Sequence, residues 1–295
     1  MSEDALWPRA AAWLKPGQSA ADIAVFGVPA HKTSISPTGA NATPAAIRQA
    51  LTRYSTFSHS HSIDLAVVTA SDFGDVEEPD SSQGEERTSQ LAQVAFQNSR
   101  LAIALGGDNS ITFAVARGAA NHDLMASGLI TLDAHHDLRD GISNGSPVRR
   151  LIEAGLPGKR VVQIGIADFS NSPEYARRAK ELGVHVIPRS ELRHRNIAEV
   201  WQEAVSIAGL GATNIHVDFD VDVCDRSVVP ACPAAAPGGI SADELRQFAF
   251  LAGNTQAVGS MDITEIDATR DSADERTVRL AALLILEAAA GLAKL

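Results

Sequence analysis

An alternating set of ligand-type side chains directly follows the apolar run 129–132: Asp133, His135 and Asp137. While a chain stays extended, its side chains alternate between two faces, so these three are expected to project together and His136 to project away. Two carboxylates and one imidazole suit a divalent transition metal. The alternative is a polar strand end with His135 hydrogen-bonded locally, and three convergent groups after a buried strand favour the metal site.

A second acidic row, Asp218, Asp220 and Asp222, follows the apolar run 215–217. Crowded carboxylates repel one another and raise each other's pKa unless a cation neutralises them. Apolar residues alternate with these acids, which favours a half-buried row facing a cation over a solvated acidic loop. Further strand ends carry the glycine-rich segment 106–110 and Glu265.

Together the two rows supply more ligands than one catalytic ion with an open position requires. The five strongest are Asp133, His135, Asp137, Asp220 and Asp222. Two ions that share carboxylates would use all five and would ionise water for attack on an electrophilic carbon or phosphorus centre. The sequence has no Walker loop and no GxSxG motif, which disfavours phosphoryl transfer and a serine nucleophile.

Eight short apolar runs are predicted to be the strands that position these residues, because unbroken apolar runs are typical of strands buried on both faces. The runs are 22–28, 64–69, 100–105, 128–132, 160–166, 184–187, 214–219 and 257–263. Helical patterns lie between them, one starting after Asn41 and others at 86–98, 173–182, 197–208, 242–252 and 274–293. The alternation predicts a largely parallel sheet covered on both sides, and a closed eight-stranded barrel remains an alternative.

The remaining segments predict one domain over residues 1–295. Two stretches without periodicity, 55–62 and 77–86, are expected to be surface loops. Neither internal repeats nor a shift in composition marks a second domain. In a parallel α/β domain of either kind, functional side chains collect at the carboxyl ends of the strands.

Charge and composition exclude several classes of protein. The 295 residues carry 36 acidic and 25 basic side chains, a formal net charge of −11, which argues against nucleic-acid binding. The most apolar stretch, 280–293, is interrupted by Glu287 and is too short to span a bilayer. Two cysteines, Cys224 and Cys232, and no apparent signal sequence predict a cytoplasmic protein with ordinary thiols.

These patterns resemble the ureohydrolase family of arginase, agmatinase and formimidoylglutamase. The family's Gly-Gly-Asp-His, Asp-Ala-His-x-Asp and Asp-x-Asp-x-x-Asp signatures are similar to 106–109, 133–137 and 220–225. Further similar segments are 27–29, Gly39, 44–48, 72–75, Pro230 and 238–239. The resemblance implies a three-layer α/β/α arginase-like fold with a mainly parallel eight-stranded sheet, two manganese ions, and a homo-oligomer, either a trimer or a hexamer.

The resemblance also implies roles for the metal ligands. Asp133 and Asp220 would bridge both ions, His135 and Asp222 would complete one, and Asp137 and Asn109 would complete the other. The family has histidine where Asn109 stands, and an amide oxygen is a weaker ligand, so this site is expected to hold manganese weakly. The alternative is that Asn109 caps the following helix and the protein binds one ion or none. Asp218 is expected to lie behind the ligands.

The resemblance is greatest to formimidoylglutamase, because Asn144 stands where arginases and agmatinases often have a proton-shuttling histidine. The implied reaction is hydrolysis of N-formimino-L-glutamate, a small-molecule amidine, to glutamate and formamide in histidine degradation. Asp137 would relay a proton to the departing amine, and Glu265 would pair with the cationic amidinium. The alternatives are a guanidine hydrolase acting on agmatine or guanidinobutyrate, and a weakly metallated, non-catalytic family member.

Five residues are expected to contact the substrate: Asn144, Arg149, Asp168, Asn171 and Glu265. An anionic substrate needs a cationic partner in so acidic a protein, and Arg139 and Arg150 are the other arginines near the acidic segment 133–137. Solvated arginines on a helix surface are an equally good explanation for each of the three.

Overall fold

A parallel sheet forms the centre of the molecule. The computed structural model describes residue 4 and residues 6–295, and within them the sheet has nine strands. The strands of the chain are β1 (Leu14–Pro16), β2 (Ile23–Val28), β3 (Phe57–Ser58), β4 (Ile63–Asp64), β5 (Ala70–Asp75), β6 (Leu101–Gly106), β7 (Ser127–Leu132), β8 (Val161–Ile166), β9 (His185–Pro188), β10 (Asn214–Asp220) and β11 (Val258–Thr264). The sheet order is β1-β5-β2-β6-β11-β10-β7-β8-β9, all parallel, and β3 and β4 form a separate antiparallel hairpin.

Helices cover both faces of this sheet. They are α1 (Ala10–Trp13), α2 (Thr43–Ala50), α3 (Ser82–Gln97), α4 (Ile111–Ala119), α5 (Pro147–Glu153), α6 (Pro173–Leu182), α7 (Arg189–Leu192), α8 (Ile197–Ala208), α9 (Ala242–Gly253) and α10 (Arg276–Leu292). One face packs against α2, α8, α9 and α10, and the other against α3, α4, α5 and α6. The three-layer α/β/α prediction is therefore confirmed, and the open edges at β1 and β9 exclude the closed barrel.

Strand β6 shows why unbroken apolar runs form this sheet. Leu101, Ile103 and Leu105 enter the core on one face, whereas Ala102 and Ala104 enter a second core under α3 and α4. Since successive side chains point to opposite faces, a strand covered on both sides must be apolar at every position.

The number of strands differs from the prediction of eight, because β1 adds a ninth strand at the edge. Its three residues, Leu-Lys-Pro, are too few to give a pattern. The strand predicted at 64–69 is also wrong. The Asp64 side chain accepts a hydrogen bond from the Ala66 N–H and starts a single helical turn, so the sheet strand begins only at Ala70.

The helix predictions differed in accuracy along the chain. The helices α6 and α8 have the predicted bounds, whereas α4 and α5 were not predicted. Helix α3 begins at Ser82, inside the loop predicted at 77–86, because the Ser81 hydroxyl accepts a hydrogen bond from the Gly84 N–H. The loop predicted at 55–62 contains the short strand β3.

The described residues also bear on two predictions made from composition, one about membrane-spanning segments and one about the cysteines. No helix among them is long and apolar enough to cross a membrane. Cys224 and Cys232 are both buried and unpaired, which agrees with the prediction of two ordinary thiols.

Candidate metal centre

Four neighbouring strands at the middle of the sheet deliver the candidate residues. In the order β6-β11-β10-β7, their carboxyl ends lead to Asn109, Glu265, the segment 220–222 and the segment 133–137. The register places Asp220 opposite Thr264 and Phe219 opposite Leu132, so these strand ends lie at one edge of the sheet. Residues that are far apart in the sequence therefore meet there.

Three side chains form the tightest group. Ligand atoms of Asp133, His135 and Asp222 all lie within 4.8 Å of one another. His135 Nδ1 is 2.7 Å from Asp222 Oδ2 and 3.5 Å from Asp133 Oδ1. Asp133 Oδ2 is buried and has no hydrogen-bond partner among the described residues. A buried carboxylate oxygen without a partner is costly, and a divalent cation is the partner that this donor set suits.

Asp222 reaches this group from a turn rather than from an extended strand. β10 ends at Asp220, whose Oδ1 accepts a hydrogen bond from the Asp222 N–H at 2.8 Å, and residues 221–223 form one helical turn. Asp222 Oδ1 in turn accepts a hydrogen bond from the Ala134 N–H at 2.9 Å. The prediction that alternation alone aligns Asp222 with Asp220 is therefore wrong, although both residues reach the same site.

Asp137 also departs from extended geometry. Its φ of 52° lies in the left-handed region, which a non-glycine residue adopts only at a cost. Its Oδ2 accepts a hydrogen bond from Asn109 Nδ2 at 2.5 Å. Asn109 Oδ1 accepts hydrogen bonds from the hydroxyls of Thr112 and Thr264 at 2.8 and 3.1 Å. In this orientation the amide nitrogen, rather than the oxygen, faces the acidic group.

His136 projects away from the acidic group, as expected. Its Nδ1 and carbonyl oxygen are both bound by the side-chain amide of Gln163, at 2.7 and 2.9 Å. Asn171 fixes the same loop, because its side chain accepts a hydrogen bond from the His136 N–H and donates to the Ala134 carbonyl oxygen. The loop that carries the acidic residues is thus held by amide side chains from outside it.

Glu265 closes the group on the β11 side. It is also left-handed, with φ 62°, and its side chain is 5% exposed. Oε1 accepts hydrogen bonds from the Asn109 N–H and from Asn144 Nδ2, both at 2.8 Å. Asn144 also accepts a hydrogen bond from the Ile35 N–H, so it ties the loop at residue 35 to Glu265.

A close main-chain approach next to Glu265 requires glycine at position 107. A Cβ there would lie 2.0 Å from the Ala30 carbonyl oxygen. The Gly107 carbonyl accepts a hydrogen bond from the Glu265 N–H at 3.0 Å, and its own N–H donates to the Val28 carbonyl. Gly107 thus holds the loops after β2, β6 and β11 together.

Burial and mutual repulsion perturb the acids. Burial, followed by the charge of Asp222, raises the pKa of Asp133 to about 6. Burial is also the main cause that raises the pKa of Asp137 and Asp220 well above the ordinary value. For Glu265, burial and the charge of Asp108 raise the pKa to about 7. Without a cation, burial and mutual repulsion therefore make ionisation of these acids less favourable than in water.

His135 and Asp222 behave as an ion pair. Burial alone would lower the pKa of His135, but the carboxylates of Asp222 and Asp133 raise it to about 12. Burial likewise opposes ionisation of Asp222, but His135 lowers the pKa of that carboxyl below its ordinary value. A proton therefore occupies the place between imidazole and carboxylates that a metal ion would take.

A cavity of about 280 Å³ opens onto this group. Its lining includes His135, Asp137, Asp220, Asp222, Glu265, Asn144, Asn171 and Arg139. Asp133 and Asn109 lie beneath it and are 1% exposed. Asp218 is fully buried deeper still, where the Thr264 hydroxyl donates to it at 3.4 Å.

Two predicted substrate contacts do not line this cavity. Arg149 donates from Nε to the Arg139 carbonyl oxygen at 2.7 Å and pairs with Glu153, so its guanidinium is engaged elsewhere. Asp168 is exposed on the loop after β8. Contact of these two residues with the substrate therefore stays a prediction that the cavity does not support.

Arg139 is the arginine that lines the cavity, and among the described residues its guanidinium forms no ion pair. Arg150 instead forms two hydrogen bonds with Glu85 at 2.8 Å. Tyr175 of α6 lines the same cavity and was not predicted. The contacts of the Thr112 and Thr264 hydroxyls with Asn109 were not predicted either. For Thr264 the sequence did offer a signal, because this residue immediately precedes Glu265 at the end of a strand.

Comparison with known proteins establishes the family. The arginase family profile matches residues 21–291, nearly the whole chain. The chain belongs to the arginase family. It is 38% identical to the formimidoylglutamase of Halalkalibacterium halodurans, over 89% of this chain and 84% of that protein.

Solved structures of arginase-family members have the same architecture. The formimidoylglutamase of Bacillus subtilis matches with a TM-score of 0.92 at 30% identity, covering 99% of this chain and 94% of that one. The formiminoglutamase of Trypanosoma cruzi, solved with Mn²⁺, matches with a TM-score of 0.89 at 26% identity, covering 97% and 99%. The match over the whole chain confirms the arginase-like α/β fold.

Proposed function

We propose that this arginase-family protein hydrolyses N-formimino-L-glutamate to glutamate and formamide with bound manganese. The observation that carries the proposal is the composition of the cavity, which is lined by Glu265 and by Arg139, an arginine that forms no ion pair among the described residues. The substrate has matching groups, an amidinium at one end and carboxylates at the other. The similarity to formimidoylglutamases over most of the chain supports the same substrate.

The side chains present fit divalent ions. Asp133, Asp220, His135, Asp222, Asp137 and Asn109 would hold the manganese. The unpartnered oxygen of Asp133 and the raised pKa values of the buried acids support cation binding. Bound manganese would offset the repulsion between carboxylates and lower the pKa of water to near neutrality. A half-turn of the Asn109 amide would exchange its nitrogen and oxygen, and the oxygen could then serve as a ligand.

The chain's own groups then orient the substrate and move protons. Glu265 pairs with the amidinium and is itself held by the N–H of Asn109 and the amide of Asn144. Water attacks the trigonal amidine carbon and gives up a proton to Asp137, which passes that proton to the departing glutamate nitrogen. The C–N bond breaks, and one water is consumed for each glutamate and formamide released. Asn144 has no titratable proton, so it holds Glu265 and does not act as a shuttle.

Arg139, rather than Arg149, is proposed to hold a substrate carboxylate. Arg139 lines the cavity, and its guanidinium is free of ion pairs within the described part of the chain, whereas Arg149 is occupied by main-chain carbonyls. A guanidinium binds a carboxylate through two parallel hydrogen bonds, which fixes the orientation of the substrate.

A substrate panel tests the proposed function. The manganese-loaded protein is incubated with formiminoglutamate, agmatine, guanidinobutyrate and arginine, and formamide and urea are measured separately. Formamide release from formiminoglutamate, with the highest kcat/KM of the panel, is expected. Faster urea release from a guanidine would replace the proposal with a guanidine hydrolase. Manganese retention far below one ion per chain, without turnover, would indicate a non-catalytic member.

A further inference from the structure

A buried arginine lies behind the turn that carries Asp222. Arg189 is the first residue of α7, directly after the edge strand β9, and is 7% exposed. Its Nη2 donates hydrogen bonds to the carbonyl oxygens of Asp222 and Val223, at 3.2 and 2.8 Å. An edge element of the sheet thereby contacts the main chain of a candidate metal ligand.

The contacts of Arg189 are directed at main-chain atoms. Among the described residues, no carboxylate lies within ion-pairing distance of its guanidinium, and its Nε is buried without a hydrogen-bond partner. Burying a guanidinium is costly, so a structure keeps one where its donors satisfy groups that would otherwise be unpaired. Here the donors of Arg189 reach the Asp222 carbonyl and give the Val223 carbonyl a second hydrogen bond, at the end of the turn 221–223.

The same turn is confined from its other sides. A Cβ at Gly165 of β8 would lie 2.4 Å from Val223 Cγ2, so the Val223 side chain packs directly against this strand. The Ile240 N–H donates to the Val223 carbonyl at 3.1 Å. Arg189 supplies the remaining donors, and with them the turn has little freedom to move the Asp222 carboxylate away from His135.

We propose that Arg189 is a positioning residue that sets the affinity of the His135–Asp222 side of the centre for a divalent ion. It acts through the main chain: by holding the carbonyls of Asp222 and Val223, it fixes the carboxylate at 2.7 Å from His135. Outer partners that orient a metal ligand commonly change affinity 10–100-fold when removed. The inference rests on the metal-binding part of the proposed function and is independent of the substrate.

The test compares three variants of the full-length protein. Arg189→Met keeps the aliphatic stem and removes the donors, and Arg189→Lys keeps the charge and one donor group. The matched control is Arg195→Met, because Arg195 lies just beyond α7 and pairs with Glu191 and Glu203 away from the centre. For each protein, the Mn²⁺ dissociation constant is measured by calorimetry, and the fold is checked without metal by circular dichroism and melting.

Weaker manganese binding by Arg189→Met, about 10–100-fold, with at most twofold change in the control, is the expected result. Arg189→Lys should fall between wild type and Arg189→Met. At saturating Mn²⁺ the variants should regain kcat with unchanged KM, which a general loss of structure would not allow. If Arg189→Met fails to fold, Arg189→Lys decides.

Unchanged affinity in folded Arg189 variants, or an equal loss in Arg195→Met, would overturn the inference. That outcome differs from failure of the proposed function, in which the wild-type protein itself binds no manganese or releases no formamide. A wild type that binds manganese but prefers another substrate would leave the role of Arg189 intact.

Discussion

The amide nitrogen of Asn109 donates a 2.5 Å hydrogen bond to Asp137 Oδ2, so two side chains expected on the same ion are already bonded to each other. The hydroxyls of Thr112 and Thr264 hold the amide oxygen on the opposite side. Metal binding at this position must break that arrangement, because an amide N–H cannot ligate a cation.

Asn109→His should therefore bind manganese about tenfold more tightly or better, because imidazole is the stronger ligand and needs no amide rotation. Calorimetric titration of both proteins with Mn²⁺ measures the change. Asn109→Ala is the control and should lose affinity. Equal affinities for all three proteins would show that position 109 is not a ligand.

Asp133 and His136 should respond in opposite ways to replacement by alanine. Asp133→Ala should abolish turnover and sharply reduce metal content, because it removes the unpartnered oxygen of the tightest group. His136→Ala should keep its metal but lose about 1–3 kcal/mol of stability, since Gln163 is left unsatisfied. Metal analysis and chemical denaturation separate the two effects. Loss of metal from the His136 variant would contradict the assignment.

Arg139→Met should raise KM for formiminoglutamate about 10–100-fold with a smaller effect on kcat, because a lost carboxylate contact is a loss of binding. Steady-state kinetics at saturating manganese measure this. Any slow turnover of agmatine, which has no carboxylate, should be unaffected. An unchanged KM for formiminoglutamate would place the substrate carboxylate elsewhere.

The metal-free protein should become less stable as the pH rises from 5.5 to 8.5. Because the pKa of His135 is raised to about 12, protonation of this residue stabilises the folded state. That stabilisation is complete below pH 6.5 and declines as the pH rises above 6.5. Because the pKa of Asp133 is raised to about 6, protonation of this residue also stabilises the folded state, and this stabilisation is lost as the pH rises through 6. Asp222 has a lowered pKa and stays ionised throughout this range.

Manganese displaces those protons, so its stabilising effect should grow over the same pH range. Melting temperatures with and without saturating Mn²⁺, at pH 5.5, 7.0 and 8.5, measure the difference. A difference that shrinks as the pH rises would contradict the assignment of these groups as ligands. Asp133→Asn, which lacks that titrating group, should show a weaker dependence.

The sequence predicted those parts of the fold in which burial on both faces leaves a pattern. β6 and β8 are apolar at almost every position and were found, whereas β5 carries Asp72 and Asp75, which bind Arg48, and so does not read as a strand. Helix α5 is only seven residues long, too short for its period to be recognised.

At the site, strand ends predicted which acids meet, because parallel strands deliver their carboxyl ends to one edge. The strand ends did not predict the turn that carries Asp222, nor which groups each arginine side chain contacts. Arg149 and Arg139 both lie near the acidic loop, and only the folded main chain, which offers carbonyls to Arg149, separates their roles.

The positive φ angles of Asp137 and Glu265 have a consequence for protein engineering. A graft of the short acidic sequence onto another α/β scaffold would bring the right atoms with the wrong torsions unless its loops also impose φ values near 52° and 62°. Each such residue costs about 1–3 kcal/mol in a host that does not support it. The transferable unit is therefore the loop with its anchors, such as Gly107 and Asn171, and not the string of ligands alone.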